Sequence, residues 1–260
     1  MRRMPKSNTA RAERNIIMKL SELKIKAKET VRFSGTVDYC HIATKISGEE
    51  LARANQYTKY PSKDPYYKLT VVIDKPNIAD AFIFDKTNES ATNLAAYLGS
   101  RVYESKKEEN KGKRYLSVIS KGSEIRVYKK DEQGKLHKVH LNGNELAQGL
   151  AVEVEVIYFE TAYGSGVGLN AVIVTAPEIK VYEGNLGVKG YEMADEEISL
   201  KPRPTRTAED VATAGNVNEE TPVSDVASEV ETDDDPVGSS NAPSNNDFDA
   251  LLKQFKAGGN

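Results

Sequence analysis

The chain of 260 residues is 29% charged and 7% aromatic, has no Trp and carries a formal charge of −3. Its one cysteine, Cys40, excludes an intramolecular disulfide, and no stretch approaches the roughly 20 apolar residues of a membrane-crossing helix. The net charge conceals a division: residues 1–192 hold 31 Lys/Arg against 24 Asp/Glu, whereas residues 193–260 hold 5 against 15.

A basic body favours polyanionic partners, and an acidic appendage can imitate one. Residues 1–20 read as a flexible basic arm. Its apolar run Ile16-Ile17-Met18 is too short for a signal-peptide core. The expected location is therefore the cytoplasm, that of the host if the protein is viral.

Along the body, Glu49–Asn55 has the composition of a short helix. Leu69–Ile73 and Ala81–Phe84 are β-rich runs. Asn88 or Ser90 can cap a helix through Asn93–Leu98, with Gly99 placed to end it. Tyr115–Ile119 and Ile125–Tyr128 are the next strands, and Asp131-Glu-Gln-Gly134 supplies the turn of a hairpin. Val152, Val154, Val156 and Tyr158 alternate with Glu153 and Glu155, the pattern of a strand with one buried and one wet face. Gly164-Ser-Gly-Val-Gly168 is expected as a turn before Leu169–Val174, and Ile179–Tyr182 closes the series. Helices this brief cannot build a layer, so residues 21–192 are predicted to form one mainly β domain, an antiparallel barrel or sandwich with short helical inserts. Residues 193–245 are rich in Pro, Ser, Thr and acids and are expected to be a disordered linker. Residues 246–260 form a separate terminal motif.

Aromatic and basic residues interleave in the body. Tyr57, Lys59, Tyr60, Lys63, Tyr66, Tyr67 and Lys68 fall within twelve positions. A second cluster holds Arg101, Tyr103, Arg114 and Tyr115, and a third Arg126 and Tyr128 on one strand face. Single-stranded nucleic acid needs this mixture: cations for phosphates and flat rings for unpaired bases, with Tyr158 a further candidate ring. No spacing of nucleophile, base and orienting group suggests catalysis. His137 and His140 fall on opposite faces of a strand, so neither a metal nor another cofactor is expected.

In the terminal motif, Phe248, Leu251, Leu252 and Phe255 make one helical stripe, flanked by Asp247 as cap and by Asp249. A stripe this short suits folding into a partner's groove.

Three stretches resemble the single-stranded DNA-binding proteins of tailed bacteriophages: Tyr66–Ile73, the pair Gly149–Phe159 and Gly166–Val172, and the acidic tail with Phe248 and Phe255. The resemblance implies an OB-fold barrel that coats single-stranded DNA without strong sequence preference in phage replication, repair or recombination. It also implies a tail that contacts replication proteins such as a polymerase, helicase or primase, and that occupies the binding groove when DNA is absent. The chain departs from that group in having Lys256-Ala-Gly-Gly-Asn260 after Phe255. A protein-interaction adaptor and an RNA-binding β-barrel remain open as alternatives.

Overall fold

The computed structural model describes residues 20–58, 61–105, 108–122, 124–161, 164–182, 190–197 and 245–257. The longest strand is β1, Thr30–Ile46. It was not among the expected strands, although Val31, Phe33 and Val37 are spaced for one buried face. Its alternation breaks at register shifts between Val37 and Tyr39 and again between His41 and Ile46, which disguise the period.

Helix α1, Gly48–Asn55, follows, and then β2, Tyr66–Val72. Of the expected Ala81–Phe84 strand only β3, Phe82–Ile83, is paired. Helix α2, Glu89–Ser100, begins where the Asn88 side chain accepts hydrogen bonds from the backbone of Ser90 and Ala91, the cap foreseen from sequence. Next come β4, Tyr103–Glu104, β5, Arg114–Ser120, β6, Arg126–Lys130, and β7, Leu136–His140. The last two form the hairpin across Asp131–Gly134. The remaining strands are β8, Glu145–Leu146, β9, Ala151–Thr161, β10, Gly164–Val174, β11, Val181–Tyr182, and β12, Glu192–Glu197. Helix α3, Asn245–Ala257, is the last element.

The fold is mainly β, but the expected closed antiparallel barrel gives way to an open mixed sheet of ten strands. Its order is β12-β7-β6-β10-β9-β1-β2-β5-β4, with β3 pairing β1. A strand has two hydrogen-bonding edges. Those of β10 go to β9 and, in parallel over Ala171–Val174 alone, to β6; β5 approaches β10 without a ladder between them among the described residues. The concave side encloses one core, with Phe33, Leu69, Leu94, Leu116 and Val154 all at most 1% exposed.

Three local expectations change. The glycines of Gly164–Gly168 lie inside β10 rather than in a turn, because Phe159 on β9 lies across them. A Cβ at Gly166 would meet the Phe159 ring at 2.7 Å, so a larger residue there would push the ring aside. Glu153 and Glu155 are not on a wet face; they are 9% and 8% exposed. Neighbouring strands place cations beside them: Lys130 Nζ donates to Glu153 at 3.1 Å and Arg32 at 3.4 Å, while Glu155 accepts from Asn170 at 2.5 Å. Finally, β12 runs on to Glu197, past position 193 where the composition turns acidic, because Glu192, Met193 and Glu197 find partners along the edge of β7.

Candidate nucleic-acid interface

The convex face of β1, β2, β5 and β4 is built by three rows of directly opposed residues: Tyr39, Thr70 and Ser117; His41, Lys68 and Ile119; and Thr36, Val72, Tyr115 and Tyr103. Side chains opposed on one face stand within reach of one another. Tyr39 stacks on His41 with centroids 5.1 Å apart and planes 27° from parallel, and Lys68 Nζ lies 5.7 Å from the centre of the Tyr39 ring. Tyr103 stacks on Tyr115 at 5.6 Å and 23°, and a 2.8 Å hydrogen bond joins Thr70 to Ser117. The face thus carries two stacked pairs of rings with the Lys68 cation beside one of them.

The Tyr39 and Tyr103 phenols on it are held protonated. Burial, then the Glu50 carboxylate, pushes the Tyr39 phenol up to about 12. Burial also raises Tyr103. A neutral phenol can stack on a base without repelling the phosphate beside it. Glu50 is the opposing feature: its carboxylate lies 3.1 Å from His41 Nε2 and 3.5 Å from the Tyr39 hydroxyl. His41 Nδ1 is buried with no hydrogen-bond partner among the described residues.

A carboxylate on the far side of β1 holds this face in shape. Glu145 of β8 accepts from the backbone N–H groups of Ile42 at 2.7 Å, Thr44 at 3.1 Å and Ala43 at 3.2 Å. Those donors lie where β1 slips out of register with β2 between His41 and Ile46, so the carboxylate takes hydrogen bonds the ladder has lost.

Of the residues singled out from sequence, Lys68, Tyr103 and Tyr115 meet on this face, with Tyr115 5% exposed beneath Tyr103. Tyr66 flanks it, close enough to Tyr39 to add to its shift. Tyr67 is half-buried, with Lys45 Nζ 5.3 Å from its ring. Arg114 donates to the carbonyls of Lys75 and Pro76 at the edge. Tyr57, 70% exposed, and Lys63 lie on the connection from α1 to β2; Lys59 and Tyr60 of the same connection lie outside the described residues.

The others are placed elsewhere. Arg101 sits over the Tyr97 ring, 5.6 Å from its centroid. Arg126 donates to Asn170 at 2.8 Å, and Tyr128, 3% exposed, packs with Ala171 and Ile173 in a small second cluster. Tyr158, 2% exposed, points into the main core, the opposite side of the sheet from the one a base could reach. Sequence reading missed Tyr39 and His41. Their signal was the alternation Tyr39-Cys40-His41 within a strand whose period the register shifts had hidden.

The tail motif is also placed. Helix α3 begins at Asn245, upstream of Asp247, so Asp247 is not its cap. The backbones of Asp247, Phe248 and Asp249 are helical, and their side chains lie outside the described residues. Leu251 and Leu252 are half-buried against the main core and Phe255 is 2% exposed. Among the described residues, α3 contacts α2, the 3-10 turn Ile78–Ala81 and, through Phe255, the rings of Phe82 and Phe84 rather than the ladder of rings.

No protein-family model and no curated protein matches the chain. Among solved structures it is similar to the single-stranded DNA-binding protein from bacteriophage Enc34, at a TM-score of 0.31 and 12% sequence identity, over 62% of this chain and 87% of that one. A likeness that slight decides neither fold nor function. Among the described residues no helix is long and apolar enough to cross a membrane, and no cluster of three or more His, Cys, Asp or Glu is arranged to hold a metal ion.

Proposed function

We propose that the chain binds single-stranded DNA with little sequence preference, through the convex face of β1, β2, β5 and β4. The observation that carries this reading is the ring ladder itself: Tyr39, His41, Tyr103 and Tyr115 stacked in two pairs, with Lys68 beside the first. Stacking on such rings is tolerant of sequence because every base has a flat face, and the lysine attracts the backbone. The pairing of β1 with both β2 and β9, of β2 with β5 and of β9 with β10 supports reading the sheet as an OB-like arrangement that stays open between β5 and β10. The remaining cations, Lys63 and Arg114, extend the path of the strand, as does Tyr57 on the α1–β2 connection. In this reading the protein coats DNA during phage replication, repair or recombination and is not an enzyme. Its C-terminal helix recruits replication proteins.

The test is a titration of labelled single-stranded DNA, duplex DNA and RNA at two salt concentrations. Tight, salt-dependent binding of single-stranded DNA supports the reading. Absence of binding at low salt overturns it in favour of a protein adaptor, and stronger binding of RNA redirects it to an RNA-binding module.

A further inference from the structure

Helix α3 does not rest on a general apolar surface. Its Phe255 ring meets Phe82 edge-on at 5.2 Å and 78°, and is tilted against Phe84 at 6.0 Å. The slot between them is floored by α2 at Gly99, where a Cβ would stand 3.1 Å from the Phe255 ring and 3.6 Å from Ile78. In the last turn of α2, the absence of a side chain at Gly99 creates the space the ring fills. We propose that the slot of Ile78, Phe82, Phe84 and Gly99 is a helix-receptor site. Its resident occupant is this chain's own C-terminal helix, and docking there withholds Leu251, Leu252 and Phe255 from any partner.

This rests on the reading that the tail engages a partner, and adds that engagement requires α3 to leave the slot. Phe255 is enclosed by the body, so one ring cannot fill the slot and a partner's groove at once. Residues 198–244 separate β12 from α3, and a chain reaches up to roughly 3.5 Å per residue, so release leaves the helix tethered within reach of a bound partner. The slot lies on α2 and β3, apart from the ring ladder, so nucleic acid and α3 do not contend for the same atoms.

The test uses full-length protein and a labelled peptide of residues 245–260. Phe255→Ala frees the slot and should bind the peptide saturably. Wild type should bind it about tenfold more weakly, the ratio of a millimolar effective concentration in cis to a Kd of about 100 µM. Adding Gly99→Leu, which fills the slot from α2, should abolish binding, and thermal unfolding of the double variant verifies its fold. Gly99→Ala, which crowds the ring less, should give intermediate binding. Equal binding to wild type and Phe255→Ala, binding indifferent to both changes at position 99, or no binding at all would each overturn the receptor site. Oligonucleotide titration of the same proteins reports separately on the ring ladder, so failure of one reading is distinct from failure of the other.

Discussion

The Phe255 ring lies edge-on against Phe82, 5.2 Å between centroids, and joins the last helix of the chain to a strand more than 170 positions earlier. Edge-to-face pairs contribute about 0.5–1.5 kcal/mol beyond burial. Truncating a core Phe costs about 3–5 kcal/mol where the structure has no cheaper response. Here it has one, since α3 can detach and leave the sheet intact. Phe255→Ala is therefore expected to raise amide exchange across 245–257 sharply while moving the Tm of the body by only a few degrees. An unchanged exchange pattern would show that the ring does not hold the helix.

Tyr39 and Tyr158 separate a binding role from a packing role. Tyr39→Ala removes a ring that is 39% exposed and should weaken oligonucleotide binding by about 1–3 kcal/mol with little change in Tm. Tyr158→Ala empties a core position and should cost roughly 3–5 kcal/mol of stability. Paired melting curves and anisotropy titrations distinguish them. Normal binding by a folded Tyr39→Ala protein would contradict the placement of the interface.

Glu50 faces the same surface with the wrong charge for DNA. Glu50→Gln keeps its shape and should tighten binding about two- to fivefold at low salt, within the ~1 kcal/mol range of exposed pairs. The gain should shrink as salt screens the site. A salt series on both proteins checks it.

Glu145 holds three consecutive backbone donors of β1. Glu145→Ala leaves them unpaired where β1 and β2 slip register. It should cost roughly 1.5–3 kcal/mol, the range for hydrogen bonds to a charged group, in chemical denaturation. Because His41 lies at the start of that slip, DNA affinity should fall as well, by a change measured on protein that remains folded.

The Tyr39 phenol, held up to about 12, gives a pH dependence of definite sign. In the unfolded chain a tyrosine ionises near 10. The folded state keeps its proton longer, so this contribution is fully present below pH 10 and is lost as pH rises through about 12. Titration of phenolate absorbance should show several late-ionising components, of which the one near 12 is lost in Tyr39→Ala while that of Tyr103 remains.

Much of the local structure was legible in the sequence. Asn88 was readable as a cap because its side chain competes for backbone donors wherever the chain runs. The hairpin at Asp131–Gly134 and the valines of β9 followed from turn chemistry and period two. Phe248, Leu251, Leu252 and Phe255 were readable as a stripe from spacing alone. These are local properties, fixed by neighbours in the chain.

What covers each face was decided only by the tertiary structure. Period two placed Glu153 and Glu155 together opposite the valines, but Arg32 and Lys130, brought in by β1 and β6, made that face a buried ionic layer rather than a wet one. The same alternation placed Tyr158 among the valines, where the curl of the sheet encloses it. Tyr39 and His41 share a face with Lys68 and Ser117 because β2 and β5 lie beside β1. The stripe on α3 met this chain's own α2 because Gly99, unremarkable in sequence except as a helix stop, leaves room for a ring. A sequence period tells which residues share a face; long-range pairing determines what that face meets.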